Sequence, residues 1–155
     1  MNNGVLRNFP LLATIDRALS DGSGLAKLRE LVAAQGGDAR AVDDPGRLPR
    51  APRVERLVAR RTAYVGAIAA DRVGMASVRL GAGREKKGDP IDLRTGVVLQ
   101  AKVGDRVERG QPYADIHVAG TPADAEAIEE IRSAFRWSAR PVTRRRLILG
   151  RIASR

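Results

Sequence analysis

Apolar positions recur at helical spacing before a proline-rich stretch and alternate after it, so two kinds of structure are expected on its two sides. Leu11, Leu12, Ile15 and Leu19 fall on one helical face, and the run Ser20 to Gly24 stops that helix. A second helix is expected from about Gly24, with Leu25, Leu28, Leu31 and Val32 as its stripe. Gly36-Gly37 closes it, because a helix end calls for a left-handed residue that glycine supplies without a Cβ clash. The segment "DDPGRLPRAPR", Asp43 to Arg53, then sets Pro45, Pro49 and Pro52 close together. Prolines so spaced are incompatible with a helix interior or a central strand. The stretch reads as a linker and a domain boundary, giving a helical segment 1–44, a linker 45–53 and a module 54–155.

Beyond the linker, Ala63 to Ala69 alternates as a strand, with Gly66 allowing close approach of another backbone. Asp71 is placed to cap a short helix with Val73, Ala76 and Leu80 on one face, ended by Gly81. The small inward residues call for close packing of that helix on its sheet. Ile91 to Leu93 and Val97 to Lys102 read as strands. Two further short strands lie within "KVGDRVERGQPYADIHV", punctuated by Gly104-Asp105 and Gly110-Gln111-Pro112. Thr121-Pro122-Ala123-Asp124 reads as a helix start with Thr121 as cap, and Ile128, Ile131 and Phe135 form that helix's apolar face. A last strand is expected over 146–152. No repeat of 20–50 residues is visible. The expected class is α+β: a module of short strands with two helices, preceded by two short helices.

Composition narrows this picture. The 155 residues are 43% hydrophobic but only 3% aromatic, so the core is built from Val, Leu, Ile and Ala. There is no cysteine, which excludes disulfides and thiolate metal sites and suits a reducing cytoplasm. No apolar run reaches the length of a membrane span, and the first residues lack a signal-peptide pattern. A cytoplasmic protein is expected. The net charge of +10 invites a nucleic-acid reading, but residues 132–155 hold eight arginines and no acid. Setting that tail aside leaves +2 for the other 131 residues. The body is nearly balanced, and the tail reads as a solvated or subunit-facing surface.

Two stretches are more specific than any of these patterns. "LRELVAAQGGDARAVDD" (Leu28 to Asp44) resembles the helix end and turn of the pyrimidine-nucleoside and thymidine phosphorylase family. The stretch from Tyr64 to Val118 is similar to that family's C-terminal domain nearly throughout. The marks are Ile68-Ala69, Gly74, Leu80-Gly81-Ala82-Gly83-Arg84, Lys87, Asp89, Ile91-Asp92, Gly96, Lys102, Gly104-Asp105, Val107, Gly110 and Ile116-His117, in the expected order. The resemblance implies an α/β-hammerhead domain with a barrel-sandwich element. It also implies an enzyme that cleaves a pyrimidine nucleoside with inorganic phosphate, giving free base and pentose 1-phosphate. Such enzymes are homodimers with a helical domain and a large phosphate-binding domain; residues 1–44 would be the last helices of the latter. Phosphate is a co-substrate, and no cofactor or metal is implied.

The family's phosphate cradle, a Lys-Ser-Thr-Gly-Gly-Val-Gly-Asp-Lys type of loop, occurs nowhere in this sequence. Neither do the upstream Arg, Ser and Lys that hold the pyrimidine. No residue is therefore carried over as catalytic, phosphate-binding or substrate-binding, and this chain alone is expected to be inactive. "VRLGAGREKKGDPIDL" (Val78 to Leu93) has the glycines and cations of a phosphate loop, but it follows a helix end. A phosphate-cradling loop opens a helix, so that N–H groups and the dipole meet the anion. It reads as a turn in which Arg84 and Lys87 pair with acids such as Asp89 and Asp92. His117, the only histidine, reads as a hydrogen-bonded structural residue. Asp71, Asp89 and Asp92 are explained as caps and turns. Lys102 lies one turn too early to be the modified lysine of a carrier domain. The alternative function is a stand-alone hammerhead module that docks RNA or a protein partner through its arginine-rich end.

Overall fold

The computed structural model describes residues 10–144 and Gly150. The chain forms two compact units, Met1–Pro49 and Arg50–Arg155. In the first, α1 (Pro10–Ser20) and α2 (Ser23–Ala34) are followed by a single turn, α3 (Arg40–Asp43), and a 3₁₀ turn at Pro45–Arg47. The break between α1 and α2 is fixed by Asp21, whose carboxylate accepts the Ser23 N–H at 2.9 Å. α2 ends where expected, with Gly36 at φ 77° and its N–H donating to the Ala33 carbonyl. No described residue of this unit is buried. Its apolar stripe stays in contact with water: Leu25, Leu28 and Leu31 are 46%, 45% and 51% exposed.

Among the described residues the second unit contains two antiparallel three-stranded sheets. One has the order β1 (Arg53–Val58), β5 (Pro112–Val118), β3 (Gly96–Leu99); the other has β4 (Arg106–Val107), β2 (Ala63–Ile68), β6 (Phe135–Ser138). The chain crosses between the sheets repeatedly, so the inward faces of both feed one core. Leu57, Val65, Val107, Ile116, Val118 and Ile131 are its largest fully buried side chains. β5 is the centre of the first sheet. Ala114, Ile116 and Val118 alternate inward along it, and Tyr113 is buried as well. α4 (Ala70–Ser77) packs chiefly on α5 (Asp124–Ala134), with Ala76 and Ala127 buried.

Two glycines act as the spacing suggested. A Cβ on Gly66 would lie 3.2 Å from the Arg136 carbonyl oxygen, so β2 and β6 approach closely only because position 66 has none. The β2–β6 register shifts at the same place, between Val65 and Ala67. Gly81 has φ 96° at the end of a π-type turn (Val78–Ala82) that follows α4; an L-residue there would be strained.

Several expectations are corrected. Ile91 to Leu93 is a turn, not a strand: the Asp92 N–H donates to the Gly81 carbonyl at 2.8 Å, and Leu93 is 78% exposed. The strand expected over 97–102 is β3, and it stops at Leu99. Asp71 does not cap α4, whose N-cap is Ala69 without a side-chain bond; it sits in the first turn, where an acid complements the helix dipole. Thr121 does not cap α5 either. Asp124 does the holding there, accepting from Gly120 N, Thr121 N and Thr121 Oγ1 at 2.8, 3.0 and 2.9 Å. Phe135 is not on the helix but opens β6. β1 begins at Arg53, where the linker reading ended. The strand expected over 146–152 lies outside the described residues, Gly150 apart.

Candidate functional site

The glycine- and cation-rich loop is a set of locally closed turns. The Asp89 carboxylate accepts the Lys86 N–H at 2.8 Å, and the Asp89 carbonyl accepts from Arg84 Nε at 3.0 Å. Asp92 pairs with Arg94, which donates its backbone N–H at 3.0 Å and its guanidinium at 2.9 and 2.7 Å. Those bonds, the guanidinium first, hold the Asp92 carboxyl down at about 2. Thr95 donates both its N–H and its hydroxyl to the Asp92 carbonyl. The expected pairing is thus rearranged: Arg84 reaches a carbonyl rather than a carboxylate, Arg94 and not Lys87 neutralises Asp92, and Lys87 makes no bond among the described residues. The chemistry of the loop is spent on its own shape.

The other singled-out residues are similarly placed. Lys102 is exposed in the turn before β4, where its N–H donates to the Asp105 carboxylate at 2.9 Å. Asp105 in turn pairs with Arg144. His117 lies in β5 opposite Val54 and Gly96. Its ring is half-buried, and among the described residues it makes no hydrogen bond of the kind expected. Its neighbour on the same strand face, Asp115, accepts from Arg56 at 2.9 Å and from Gln100 at 3.0 Å. The Arg56 bond above all holds the Asp115 carboxyl below the usual carboxylate range. Among the described residues no three His, Asp or Glu side chains gather as metal ligands.

Of the aromatic residues only Phe135 was singled out in the sequence, as part of a helix face, and the fold brings three of them together. Tyr113 of β5 stands edge-on to Phe135 and Trp137 of β6, with ring centroids 4.7 and 5.1 Å away. Phe135 and Trp137 stack at 6.0 Å. The available signal was scarcity, since the chain has only two Phe, two Tyr and one Trp.

These contacts define a class first: an α+β domain whose charged loops are largely closed on themselves around a single hydrophobic core. Residues 64–138 match the family model of the Pyrimidine nucleoside phosphorylase C-terminal domain. The Pyrimidine-nucleoside phosphorylase of Geobacillus stearothermophilus is 41% identical over 139 residues, which is 90% of this chain and 32% of that protein. That of Bacillus subtilis (strain 168) is 38% identical over 119 residues, 77% of this chain and 26% of that protein. That of Staphylococcus aureus (strain USA300) is 40% identical over 105 residues, 68% of this chain and 24% of that protein. By these matches residues 64–138 are a C-terminal domain of the pyrimidine-nucleoside phosphorylase family. The chain spans about a third or less of the length of these relatives. Among the described residues no helix is long and apolar enough to cross a membrane.

Proposed function

We propose that this chain is the C-terminal portion of a pyrimidine-nucleoside phosphorylase and that its own part in the reaction is structural. The reaction splits a pyrimidine nucleoside with inorganic phosphate into free base and pentose 1-phosphate, without a metal or cofactor. The observation that carries the reading is the 41% identity across 90% of the chain. So long a match also disfavours the stand-alone RNA- or partner-docking module. The structural role is supported by the loop 81–95, where Arg84, Asp89, Asp92 and Arg94 bond within the loop itself.

In this reading residues 54–155 are the hammerhead domain with its barrel-sandwich element, 45–53 are the linker, and 1–44 are the helical end of the phosphate-binding domain. The water-exposed leucines of α2 are what a helix taken from a larger domain would show. The domain buttresses the large domain and sets its closure around the nucleoside, in a cytoplasmic homodimer. Isolated, the chain is inactive, because none of its residues occupies a catalytic position.

A chimera tests the assignment. The segment of the Geobacillus stearothermophilus protein that matches this chain is replaced by it, and release of base from uridine and phosphate is followed. The chimera is expected to keep activity within about tenfold of its parent, a change of roughly 1.4 kcal/mol in the barrier. A folded, soluble chimera without activity would contradict the assignment.

A further inference from the structure

A cleft of about 450 Å³ opens in the second unit where its two sheets meet α5. Its size is that of a small-molecule site. Phe135 and Trp137 of β6 and Tyr113 of β5 form its aromatic side; Arg60, Arg61 and Arg132 stand around it. The lining carries three arginines and one acid, Glu129. Arg132 has a partner in Glu129, but Arg60 and Arg61, exposed in the turn between β1 and β2, form no ion pair or hydrogen bond among the described residues.

The second observation is Tyr113 itself. The residue as a whole is only 3% exposed and lines the cleft; its hydroxyl has no hydrogen-bond partner among the described residues and is not sealed off, so it stays open to a group in the cleft. A hydroxyl at the wall of an apolar cleft can exchange its water for a ligand oxygen at little cost. Burial pushes its pKa up, so the group is a protonated donor at neutral pH. Aromatic faces favour a planar ring, and guanidiniums favour the paired oxygens of a phosphate or carboxylate. Ser133, the aliphatic hydroxyl in the lining, donates to the Glu130 carbonyl at 2.8 Å and not to a carboxylate base.

We propose that this cleft binds a small planar aromatic anion, a ring bearing phosphate or carboxylate, stacked beside Trp137 and held by Arg60, Arg61 and the Tyr113 hydroxyl. The proposal does not rest on the phosphorylase reading.

Trp137 is the only tryptophan, so its emission reports this cleft alone. The full chain is titrated, with excitation at the red edge of tryptophan absorption, against uridine 5′-monophosphate and 4-hydroxybenzoate. Uridine and inorganic phosphate serve as separate controls. A saturable change at about 1 mM or below is expected with at least one aromatic anion, and which one saturates tells phosphate from carboxylate. Each control is expected to bind at least about tenfold more weakly, as is the Arg60→Ala/Arg61→Ala variant with the better anion. Tyr113→Phe keeps the ring packing, so its melting should match the parent while binding weakens by about threefold. Saturation by neither anion, equal binding of uridine, or an unaffected double-arginine variant would overturn the proposal.

Discussion

Asp124 is 3% exposed, and its carboxylate accepts three hydrogen bonds from the two residues that lead into α5. The motif Thr121-Pro122-Ala123-Asp124 marked a helix start correctly, but it did not say which side chain does the holding. A carboxylate has more acceptor positions than a hydroxyl, so the acid gathers both N–H groups and the Thr121 hydroxyl as well. Asp124→Ala strands those donors beside the core. It is expected to cost about 2 kcal/mol, read as a lowered midpoint in urea unfolding, whereas Thr121→Ala removes one bond and costs about 1 kcal/mol. Equal effects would contradict this division of labour. Local chemistry of this kind is partly legible in sequence: the acids of the loop 81–95 were recognised as turn formers. Their partners were not, because Arg94 reaches Asp92 only once the turn at 92–95 has closed.

Among the strands and helices of the core, several buried positions at one period made β2, β5 and α5 legible, while β1 and β6, with one buried position each, were missed. β2, β5 and α5 each bury two or more side chains in register. β1 buries Leu57 alone, with Val54 and Val58 outside, so its pattern is hidden among charges and follows a proline. β6 follows α5 without glycine or proline between them, which is why Phe135 read as helical. Ile91 and Leu93 alternate as a strand would, but both face water. α1 and α2 are helices by pattern, yet their stripe finds no core within their own unit. A leucine left half exposed forgoes much of the roughly 1.5–3 kcal/mol that full burial provides. Backbone amides of α1 and α2 are therefore expected to exchange with deuterium well ahead of those in β5 and α5 in the full chain. The substitutions Leu28→Gln and Leu31→Gln together should leave the melting of the second unit unchanged. Amides of α1 and α2 as protected as those of β5, in a monodisperse monomer, would contradict this view.

For the whole molecule, the α+β class was legible because punctuation by glycine and proline separates short strands from capped helices. The strand orders were not. Each sheet joins strands that are far apart in sequence, as when β1 pairs with β5 and β2 with β6, and no local pattern announces those partners. The aromatic cleft depends on the same long-range pairing and was invisible for the same reason. The basic charge is also distributed more quietly than the composition suggested: Arg132 and Arg144 pair with Glu129 and Asp105. What remains is a domain that belongs to an enzyme family while its own polar groups maintain its turns and sheets. That claim is tested most directly by incubating the purified chain with uridine or thymidine and inorganic phosphate and assaying free base. The account predicts none above the protein-free control, and release of uracil or thymine in proportion to protein concentration would contradict it.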